Sequence, residues 1–315
     1  MKKHFLITEE VPEFFISDLT KAGFEVIYKP NISLSELRQI IPDFYAILIR
    51  SRIILDKEML DLAKNLSMIF RPGSGLDIID TETAENKNII IFNSPEGNRD
   101  AVGEHALGLL LSLINHIPAS FDEIKNGRWN RRKNIGTEIK GKKIGIIGFG
   151  NTGSAFAKKI SSFDPEILAY DKYKTSYAFP AVRETDMEVI FSEAEIVSFH
   201  IPLTSETKYL VNREYLKKFS KQVYLINTSR GKIINSEDLL WAIQNDIVLG
   251  AALDVLENEN FKTYSATERA LINALISTGR VLITPHIAGL TVESEKRIFS
   301  VLIDKLLIFN DLKII

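Results

Sequence analysis

The sequence of 315 residues contains no cysteine, which excludes disulfide bonds and thiolate metal sites; we predict no metal site of any other kind. It also lacks a charge imbalance, because the net charge is only −2 and no basic stripe is interleaved with aromatics, so nucleic-acid binding has no electrostatic basis. Long hydrophobic runs are missing as well: the most apolar segment, residues 106–114, is far too short to span a bilayer. The N-terminal MKKHFLITEEVPEFF meets acidic residues too early for a signal peptide. We therefore expect a cytoplasmic protein that binds neither nucleic acid nor a membrane.

A glycine-rich segment carries the strongest functional pattern. A short apolar run, residues 144–147, predicts a strand buried on both faces, and Gly148, Gly150 and Gly153 follow it in the G-x-G-x-x-G spacing. The first glycine permits a tight turn, the second lets the backbone approach a pyrophosphate, and the third lets helix and strand pack closely. A helix predicted over residues 152–162 would direct its N-terminal N–H groups at the phosphates. The segment therefore predicts dinucleotide binding.

An acidic residue at the end of the next predicted strand indicates which dinucleotide is bound. That strand, residues 167–170, ends at Asp171. A carboxylate there can accept hydrogen bonds from the adenosine ribose hydroxyls and would repel a 2′-phosphate. We therefore predict NAD in preference to NADP, a preference that Lys172 and Lys174 soften.

Short apolar runs alternate with helix-type runs along the whole chain, which favours an α/β fold built from parallel sheets. In the first part the predicted strands are 5–8, 24–28, 46–49, 68–70 and 89–92, and the helices are 12–22, 33–41, 57–65 and 81–86. After Asp171 the strands are 196–200, 223–227, 250–255 and 280–284, and the helices are 213–219 and 236–245. We predict two doubly wound parallel-sheet domains, the second with about six strands.

The domain boundaries follow from this count. We assign residues 1–97 and 288–315 to the first domain and residues 98–287 to the dinucleotide-binding domain. The amphipathic helix predicted at residues 291–309, with a threonine cap, begins once the second domain is complete, so we expect it to pack on the first domain.

A long helix is predicted at residues 100–117, capped by Asn98 or Asp100. Its apolar residues cover nearly the whole circumference, which indicates burial on more than one side. It is either a core helix or a helix that crosses between domains or lies in a subunit interface. We interpret His105 and His116, both placed on this helix, as structural residues.

Three polar motifs follow predicted strands, where open α/β sheets bind their ligands. They are Asn227–Gly231, Leu253–Glu259 and Thr284–Gly289. Arg230 offers a planar fork of donors to a carboxylate, and a histidine such as His286 can shuttle a proton when a carboxylate orients it. Taken singly, Arg230 is more often part of a surface ion pair, Glu259 a solvated loop acid and His286 a turn residue. Together, in a chain that binds a hydride carrier, they predict the interconversion of a hydroxyl and a carbonyl group.

The chain resembles the D-isomer-specific 2-hydroxyacid dehydrogenase family over nearly its whole length. Within the family it is most similar to the phosphoglycerate dehydrogenase branch, in a short form without a regulatory C-terminal domain. The resemblance is carried by RPGSGLDIID, NSPEGNRDAVGEHA, NTSRGKIINSEDLL, GAALDV and TPHIAG. It implies a Rossmann NAD-binding domain inserted into a flavodoxin-like substrate domain, with the active site in the cleft. It also implies a homodimer and a small 2-hydroxy or 2-keto acid substrate.

The resemblance further implies roles for single residues. Arg230, Glu259 and His286 would be catalytic, with His286 taking the hydroxyl proton and Glu259 stabilising the imidazolium. Ser74 and Gly75 would present backbone N–H groups to the substrate carboxylate. The remaining cofactor contacts would be Asp254 at the nicotinamide carboxamide, Asn151 and Thr152 at the pyrophosphate, Ile201 and Pro202 at the adenosine, Thr228 and Ser229 at the nicotinamide half, and Gly289.

The sequence departs from the family at one point. Asn260 follows Glu259 where the family usually has proline. Glu257 is therefore a rival for the role of Glu259, although the spacing of five from Asp254 favours Glu259. The loop over residues 260–279 also looks lengthened.

The substrate is predicted from cations. A phosphorylated substrate needs cationic side chains, and four arginines could supply them: Arg50, Arg71, Arg131 and Arg132. The alternative is that one or more of these arginines form ion pairs with acidic residues of the protein. We predict 3-phosphoglycerate, the substrate for the first step of serine biosynthesis, with no feedback by serine through a C-terminal domain. Glyoxylate or hydroxypyruvate reduction is the alternative; formate oxidation is disfavoured because that branch generally has glutamine at the position of Glu259. A hypothesis of another class is an NAD-sensing protein that resembles a corepressor.

Overall fold

The computed structural model describes residues 3–177, 179 and 181–312. The chain forms two units, one of residues 3–98 with residues 290–312 and the other of residues 99–289. The first two and the last three residues of the predicted first domain lie outside the described part. Among the described residues, no helix combines the length and the apolar character needed to cross a membrane.

The first unit contains a parallel sheet of five strands. They are β1 Lys3–Ile7, β2 Phe24–Tyr28, β3 Ala46–Leu48, β4 Met68–Arg71 and β5 Ile90–Asn93. The helices of this unit are α1 Glu13–Lys21, α2 Leu34–Ile40, α3 Lys57–Leu62, α4 Thr81–Asn86 and, from the C-terminal segment, α12 Val292–Leu312. The strand order β2-β1-β3-β4-β5 is the flavodoxin-like order.

Strand β1 shows why this sheet is covered on both faces. Successive side chains of a strand point to opposite faces, and Phe5 and Ile7 belong to one buried cluster while Leu6 belongs to another. Helix α12 supplies part of the first cluster, because Phe299 is fully buried there and its ring lies 5.0 Å from that of Phe15. The C-terminal helix therefore completes the core of the first unit.

The second unit contains a parallel sheet of seven strands. They are β6 Lys143–Ile147, β7 Glu166–Tyr170, β8 Val182–Glu184, β9 Ile196–Phe199, β10 Val223–Asn227, β11 Val248–Leu253 and β12 Val281–Ile283. The helices of this unit are α6 Ile117–Lys125, α7 Asn151–Ile160, α8 Met187–Glu193, α9 Arg213–Leu216, α10 Ser236–Gln244 and α11 Ala266–Ser277. The strand order β12-β11-β10-β9-β6-β7-β8 is the doubly wound dinucleotide-binding order with a seventh strand added at one edge.

The predicted fold class, two doubly wound parallel-sheet domains, is confirmed. The count of six strands in the second domain was wrong by one, because β8 is a three-residue edge strand without an apolar run. The prediction also missed helices α6, α8 and α11. The last of these lies inside the supposed long loop of residues 260–279 and begins with a capping box between Ser265 and Glu268.

Helix α5, Pro95–Ile114, differs from its predicted bounds at both ends. It begins at a proline, which fits the first turn of a helix because the missing N–H has no partner there, so the predicted caps Asn98 and Asp100 were wrong. It ends before His116, which lies outside the helix in a left-handed conformation with φ of 53°. The buried residues of its second half belong to two clusters, as an all-round apolar helix requires. The boundary between the units falls within its first turn and a half.

Candidate active site

The glycine loop after β6 has the geometry that each of its glycines predicts. Gly148 adopts φ of +90°, which favours glycine, and a Cβ there would overlap the carbonyl of His200. A Cβ on Gly153 would overlap the carbonyl of Gly148, so the third glycine is needed for close helix packing. Gly150 faces open space and occupies the N-cap position of α7, where no side chain accepts a hydrogen bond from the first N–H groups of the helix. The first N–H groups of α7, from Asn151 and Thr152 onward, are therefore suited to an anionic phosphate.

Asp171 directly follows β7 and fixes the loops around it. Its Oδ2 accepts from the Phe149 N–H at 2.8 Å, and its Oδ1 accepts from the N–H groups of Tyr173 and Lys174. The carboxylate thus lies beside the glycine loop, where a ribose would approach. Lys172 forms an ion pair with Glu206 at 2.5 Å. Because Glu206 neutralises its positive charge, Lys172 attracts a 2′-phosphate less strongly.

The loop after β10 is organised by a buried asparagine. Asn227 donates through Nδ2 to the carbonyl of Arg230 at 2.9 Å and accepts from the Ser229 N–H at 3.0 Å. Ser229 donates through Oγ to the carbonyl of Phe199 at 2.5 Å, which ties the loop to the neighbouring strand β9. The guanidinium of Arg230 donates to the carbonyl of Ser229 at 2.7 Å, and the residue is only partly buried. This loop therefore has a fixed backbone and carries a cation at the carboxyl edge of the sheet.

Gly231 has a packing role that was not predicted from the sequence. A Cβ on Gly231 would overlap the carbonyl of Leu256, which belongs to the loop after β11. Only glycine allows the loops after β10 and β11 to lie this close. A glycine after the arginine was visible in the sequence, but its contact depends on the tertiary fold.

Asp254 directly follows β11 and has a side chain with no exposed surface. Its Oδ1 accepts from Thr284 Oγ1 at 2.6 Å and from the Ile287 N–H at 2.9 Å, and its Oδ2 accepts from the Ala288 N–H at 2.8 Å. Burial alone would raise the pKa of Asp254, but these hydrogen bonds and one from His105 outweigh burial and lower it. Asp254 is therefore an ionised residue that holds the loop after β12.

His286 and Glu259 come together although 27 residues separate them. The Nδ1 of His286 lies 2.8 Å from Oε2 of Glu259, and about half of each side chain is exposed. His286 has φ of 55°, a left-handed conformation that histidine tolerates better than most residues. Because the carboxylate is an acceptor, Nδ1 carries a proton in this pair. The other ring nitrogen, Nε2, is then left with a lone pair that can take a proton from a ligand.

The rival carboxylate, Glu257, is engaged elsewhere. Its Oε1 accepts from the Ser236 N–H at 2.8 Å, and its hydrogen bond with Tyr209 raises the pKa of that tyrosine. It lines a cavity of about 310 Å³ with Tyr209, Ser236 and residues of α11. Of the two glutamates, Glu259 is therefore the partner of the histidine.

The departure from proline after Glu259 has a structural reason. The N–H of Asn260 donates to Oδ1 of Asn258 at 3.0 Å, and Asn260 in turn caps a short 3-10 turn by accepting from the Lys262 N–H. Proline has no N–H and could not make the first of these bonds. Asn258 also donates to Glu268 of α11. Glu259 therefore lies on a segment that is anchored from both sides.

In the first unit, the predicted substrate residues lie at or just beyond the carboxyl ends of two neighbouring strands. Arg71 ends β4, and its guanidinium donates to the carbonyl of Pro72. Arg50 follows β3 and forms a bidentate pair with Glu295 at 2.9 and 2.8 Å. The backbone N–H groups of Ser74 and Gly75 donate to no acceptor within the described part of the chain.

The other predicted contacts are scattered over the second unit. Ile201 and Pro202 follow β9 as partly exposed and exposed residues, whereas Oγ1 of Thr228 is buried. Gly289 is the last residue of the unit, and Arg131 and Arg132 are exposed after α6. The structure thus brings together His286, Glu259 and Asp254, and leaves Arg131 and Arg132 outside that group of contacts.

Comparison with known proteins identifies the domain that carries this site. Residues 107–288, more than half of the chain, match the profile of the D-isomer specific 2-hydroxyacid dehydrogenase, NAD binding domain. The chain is 35% identical to a hydroxypyruvate reductase of Thermotoga maritima over 90% of each chain. It is 34% identical to the D-3-phosphoglycerate dehydrogenase of Archaeoglobus fulgidus over 92% of this chain and 54% of that protein. The chain thus spans about half the length of the phosphoglycerate dehydrogenases that it matches.

A solved structure shows the same architecture. The D-lactate dehydrogenase from Aquifex aeolicus, complexed with NAD and lactic acid, superposes with a TM-score of 0.84 at 26% identity. The superposition covers 99% of this chain and 97% of that chain. The fold of both units is therefore that of an enzyme crystallised with a dinucleotide and a 2-hydroxy acid.

Proposed function

The chain belongs to the D-isomer specific 2-hydroxyacid dehydrogenase family, whose cofactor is NAD, and we propose that it interconverts a D-2-hydroxy acid and the corresponding 2-keto acid. The observation that carries this proposal is the His286–Glu259 pair, which lies half-exposed at the carboxyl edge of a dinucleotide-binding sheet. The residues of the glycine loop fit the cofactor, because Gly150 faces open space at the uncapped start of α7. Bound NAD supplies the hydride acceptor.

The histidine acts as the acid and base. In the direction of oxidation, Nε2 of His286 takes the hydroxyl proton of the substrate, since Nδ1 already carries a proton toward Glu259. The imidazolium that forms is stabilised by the carboxylate at 2.8 Å. In the direction of reduction the same nitrogen returns the proton to the carbonyl oxygen. Asp254 contributes by holding the backbone on which His286 lies.

Arg230 binds the carboxylate of the substrate in this proposal. Its guanidinium is a planar fork that suits a carboxylate, and its backbone is fixed by Asn227. In the first unit, which we propose as the substrate domain, the N–H groups of Ser74 and Gly75 would bind the same class of group.

For the substrate we propose 3-phosphoglycerate, with 3-phosphohydroxypyruvate as its product. Arg50 lies just after β3 and Arg71 is the last residue of the neighbouring strand β4, so their cations start from the same edge of the sheet. A phosphate is recognised by such guanidinium groups. The similarity to D-3-phosphoglycerate dehydrogenases over most of this chain supports the same substrate and, with it, a place in serine biosynthesis.

A second candidate, the reduction of hydroxypyruvate, is favoured by a specific observation. Both terminal nitrogens of Arg50 that face Glu295 are engaged in its bidentate pair, so a phosphate would have to displace that carboxylate. One relative that matches this chain over 90% of both lengths is a hydroxypyruvate reductase.

Steady-state oxidation of NADH distinguishes these candidates. We expect phosphohydroxypyruvate to have a kcat/KM at least tenfold above hydroxypyruvate, glyoxylate and pyruvate, and Arg71→Gln to remove that preference. Arg38→Gln is the matched control, because Arg38 forms an exposed pair with Glu58 on α2 and α3. Comparable rates for the unphosphorylated acids would select the second candidate. The absence of any turnover, with NADH still bound, would reject the enzymatic proposal.

We also propose that the protein is a homodimer joined through α6. This helix exposes the large apolar side chains Ile117, Phe121 and Ile124 at spacings of four and three, and it buries the carboxylate of Glu123 against Lys133 and Asn134 instead. An inverted pattern of this kind favours a second copy of the chain as its cover. Sedimentation velocity should show a dimer that Phe121→Glu dissociates, whereas Tyr28→Glu in the first unit should leave it intact. A wild-type monomer would contradict the proposal.

A further inference from the structure

A histidine outside the proposed catalytic pair contacts the residues that hold the catalytic loop. His105 lies on α5, and its Nε2 is 3.0 Å from Oγ1 of Thr284 and 3.4 Å from Oδ1 of Asp254. Thr284 Oγ1 itself lies 2.6 Å from the same Oδ1. The three side chains therefore form one connected cluster, of which Asp254 is fully buried and His105 is about one-quarter exposed.

The protons of this cluster can be assigned by counting donors. The threonine hydroxyl has one proton, and at 2.6 Å from a carboxylate oxygen it must donate that proton to Asp254. Oγ1 of Thr284 can then only accept from His105. Nε2 of His105 is therefore the protonated nitrogen, and it points a donor at both the hydroxyl and the carboxylate.

The carboxylate that this cluster orients also determines the shape of the His286 loop. The backbone carbonyl of Asp254 accepts from the His286 N–H at 2.8 Å, and its two carboxylate oxygens accept from the N–H groups of Ile287 and Ala288. Three consecutive N–H groups are thus fixed by one residue. His286 lies within this loop in the left-handed conformation, which persists only where the surroundings enforce it.

The position of His105 is fixed in turn by the helix that carries the cofactor loop. Gly103 lies so close to α7 that a Cβ would come 3.0 Å from the backbone of Ala155. Lys159 of α7 pairs with Glu104 at 3.0 Å and with Asp100 at 3.4 Å. Helix α5 therefore has one side against the glycine-loop helix and presents His105 to the loop after β12.

We propose that His105, through Thr284 and Asp254, is a positioning residue for the acid–base histidine His286. The inference rests on the proposed function, since it assigns a supporting residue to the same reaction. Small displacements of a reacting group cost large factors in rate, on the order of 10²-fold for about 1 Å. Loss of the His105 donor is therefore expected to lower turnover more than it lowers the affinity for NADH or substrate.

The test compares His105→Leu with His105→Gln, because the glutamine amide can place a donor near the position of Nε2. For His105→Leu we expect kcat to fall by about tenfold with the KM for NADH and for the keto acid within twofold of wild type. His105→Gln should recover most of the loss. Thr284→Val, which removes the link to Asp254, should reproduce the effect of His105→Leu.

A second measurement separates this inference from the proposed function. Amide hydrogen exchange at Ile287 and Ala288 should accelerate by about tenfold in His105→Leu, while exchange in β6 and α7 stays as in wild type. If wild type has no turnover, the proposed function fails and the exchange rates decide the inference. An unchanged kcat, or unchanged exchange at both amides in a variant that melts like wild type, would overturn it. A loss that glutamine does not recover would also overturn it, because the role would then be packing.

Discussion

The two units present charged side chains at the carboxyl edges of their sheets in different ways. In the second unit, His286 and Glu259 pair with each other and stay about half-exposed. In the first unit, Arg50 pairs with Glu295 of the same unit, and Arg52 donates to the carbonyls of Thr8 and Ile32. A polar pair that keeps open surface can exchange protons with a ligand, whereas guanidinium groups bound within their own unit first contribute to its structure. The second unit therefore defines the proposed chemistry better than the first unit defines the proposed substrate.

The sharpest test of the second unit separates its two neighbouring glutamates. Glu259→Gln should lower kcat by about 10²-fold, because the imidazolium of His286 loses its negative partner. Glu257→Gln should leave kcat within threefold, since that carboxylate bonds to Ser236 and Tyr209. Steady-state kinetics at saturating NADH measures both variants. If Glu257→Gln proved the more damaging of the two, the pairing described for His286 would be wrong.

Asp171, which follows β7 at the carboxyl edge of the same sheet, should control the choice of cofactor. Asp171→Ala should raise the KM for NADH by about tenfold and lower the discrimination against NADPH, because the carboxylate can no longer bind ribose hydroxyls or repel a phosphate. Asp171→Asn is the matched control, since its amide oxygen can still accept from Phe149 while the charge is lost. Initial rates with both dinucleotides measure the effect. Equal rates with NADH and NADPH in wild type would contradict the role of Asp171.

A buried histidine sharpens the contrast with the half-exposed one. His200 packs against Phe156, and burial lowers its pKa to about 3. Between that value and about 6.5 the unfolded chain binds a proton that the folded chain does not, so the free energy of unfolding should decrease as the pH falls below 6.5. This site should contribute about 1.4 kcal/mol per pH unit. Denaturant unfolding of wild type and His200→Gln between pH 5 and pH 7 tests this, and parallel curves would refute the assignment.

The smallest effect is expected where the first unit is altered. Glu295→Gln should free the guanidinium of Arg50 and lower the KM for phosphohydroxypyruvate about threefold, while the KM for hydroxypyruvate stays unchanged. A threefold change corresponds to about 0.7 kcal/mol, the free energy expected of a partly exposed ion pair. Kinetics with the two keto acids gives the comparison directly. An equal change for both substrates would mean that the pair serves only the structure of the unit.

Much of the fold could be predicted because local patterns and tertiary structure agree. The glycine spacing, the apolar strands and the cap at Ser33, whose hydroxyl accepts from the Glu36 N–H, all depend on residues close in sequence. Strand β8 and helix α5 show the limit: one has no apolar run, and the other starts at a proline rather than at a polar cap.

For the candidate site, the sequence predicts a set of residue types, and it predicts the contacts among them only in part. His286 and Glu259 could be named from their motifs, but nothing in the sequence brings His105 next to Thr284 across 179 positions, or shows that Asp254 is fully buried. The partner of Arg50 is 245 residues away, so its engagement could not be read from the chain either. Contacts of this kind are properties of the packed units.

The most direct test of the account is the turnover of His286→Gln. Glutamine keeps a polar side chain of similar length but cannot exchange a proton near neutral pH. With NADH and either phosphohydroxypyruvate or hydroxypyruvate, kcat should fall by about 10²- to 10⁴-fold, while the affinity for NADH, measured by fluorescence titration, stays within twofold. A variant that binds NADH normally and turns over at near the wild-type rate would contradict the assignment of His286 as the acid and base.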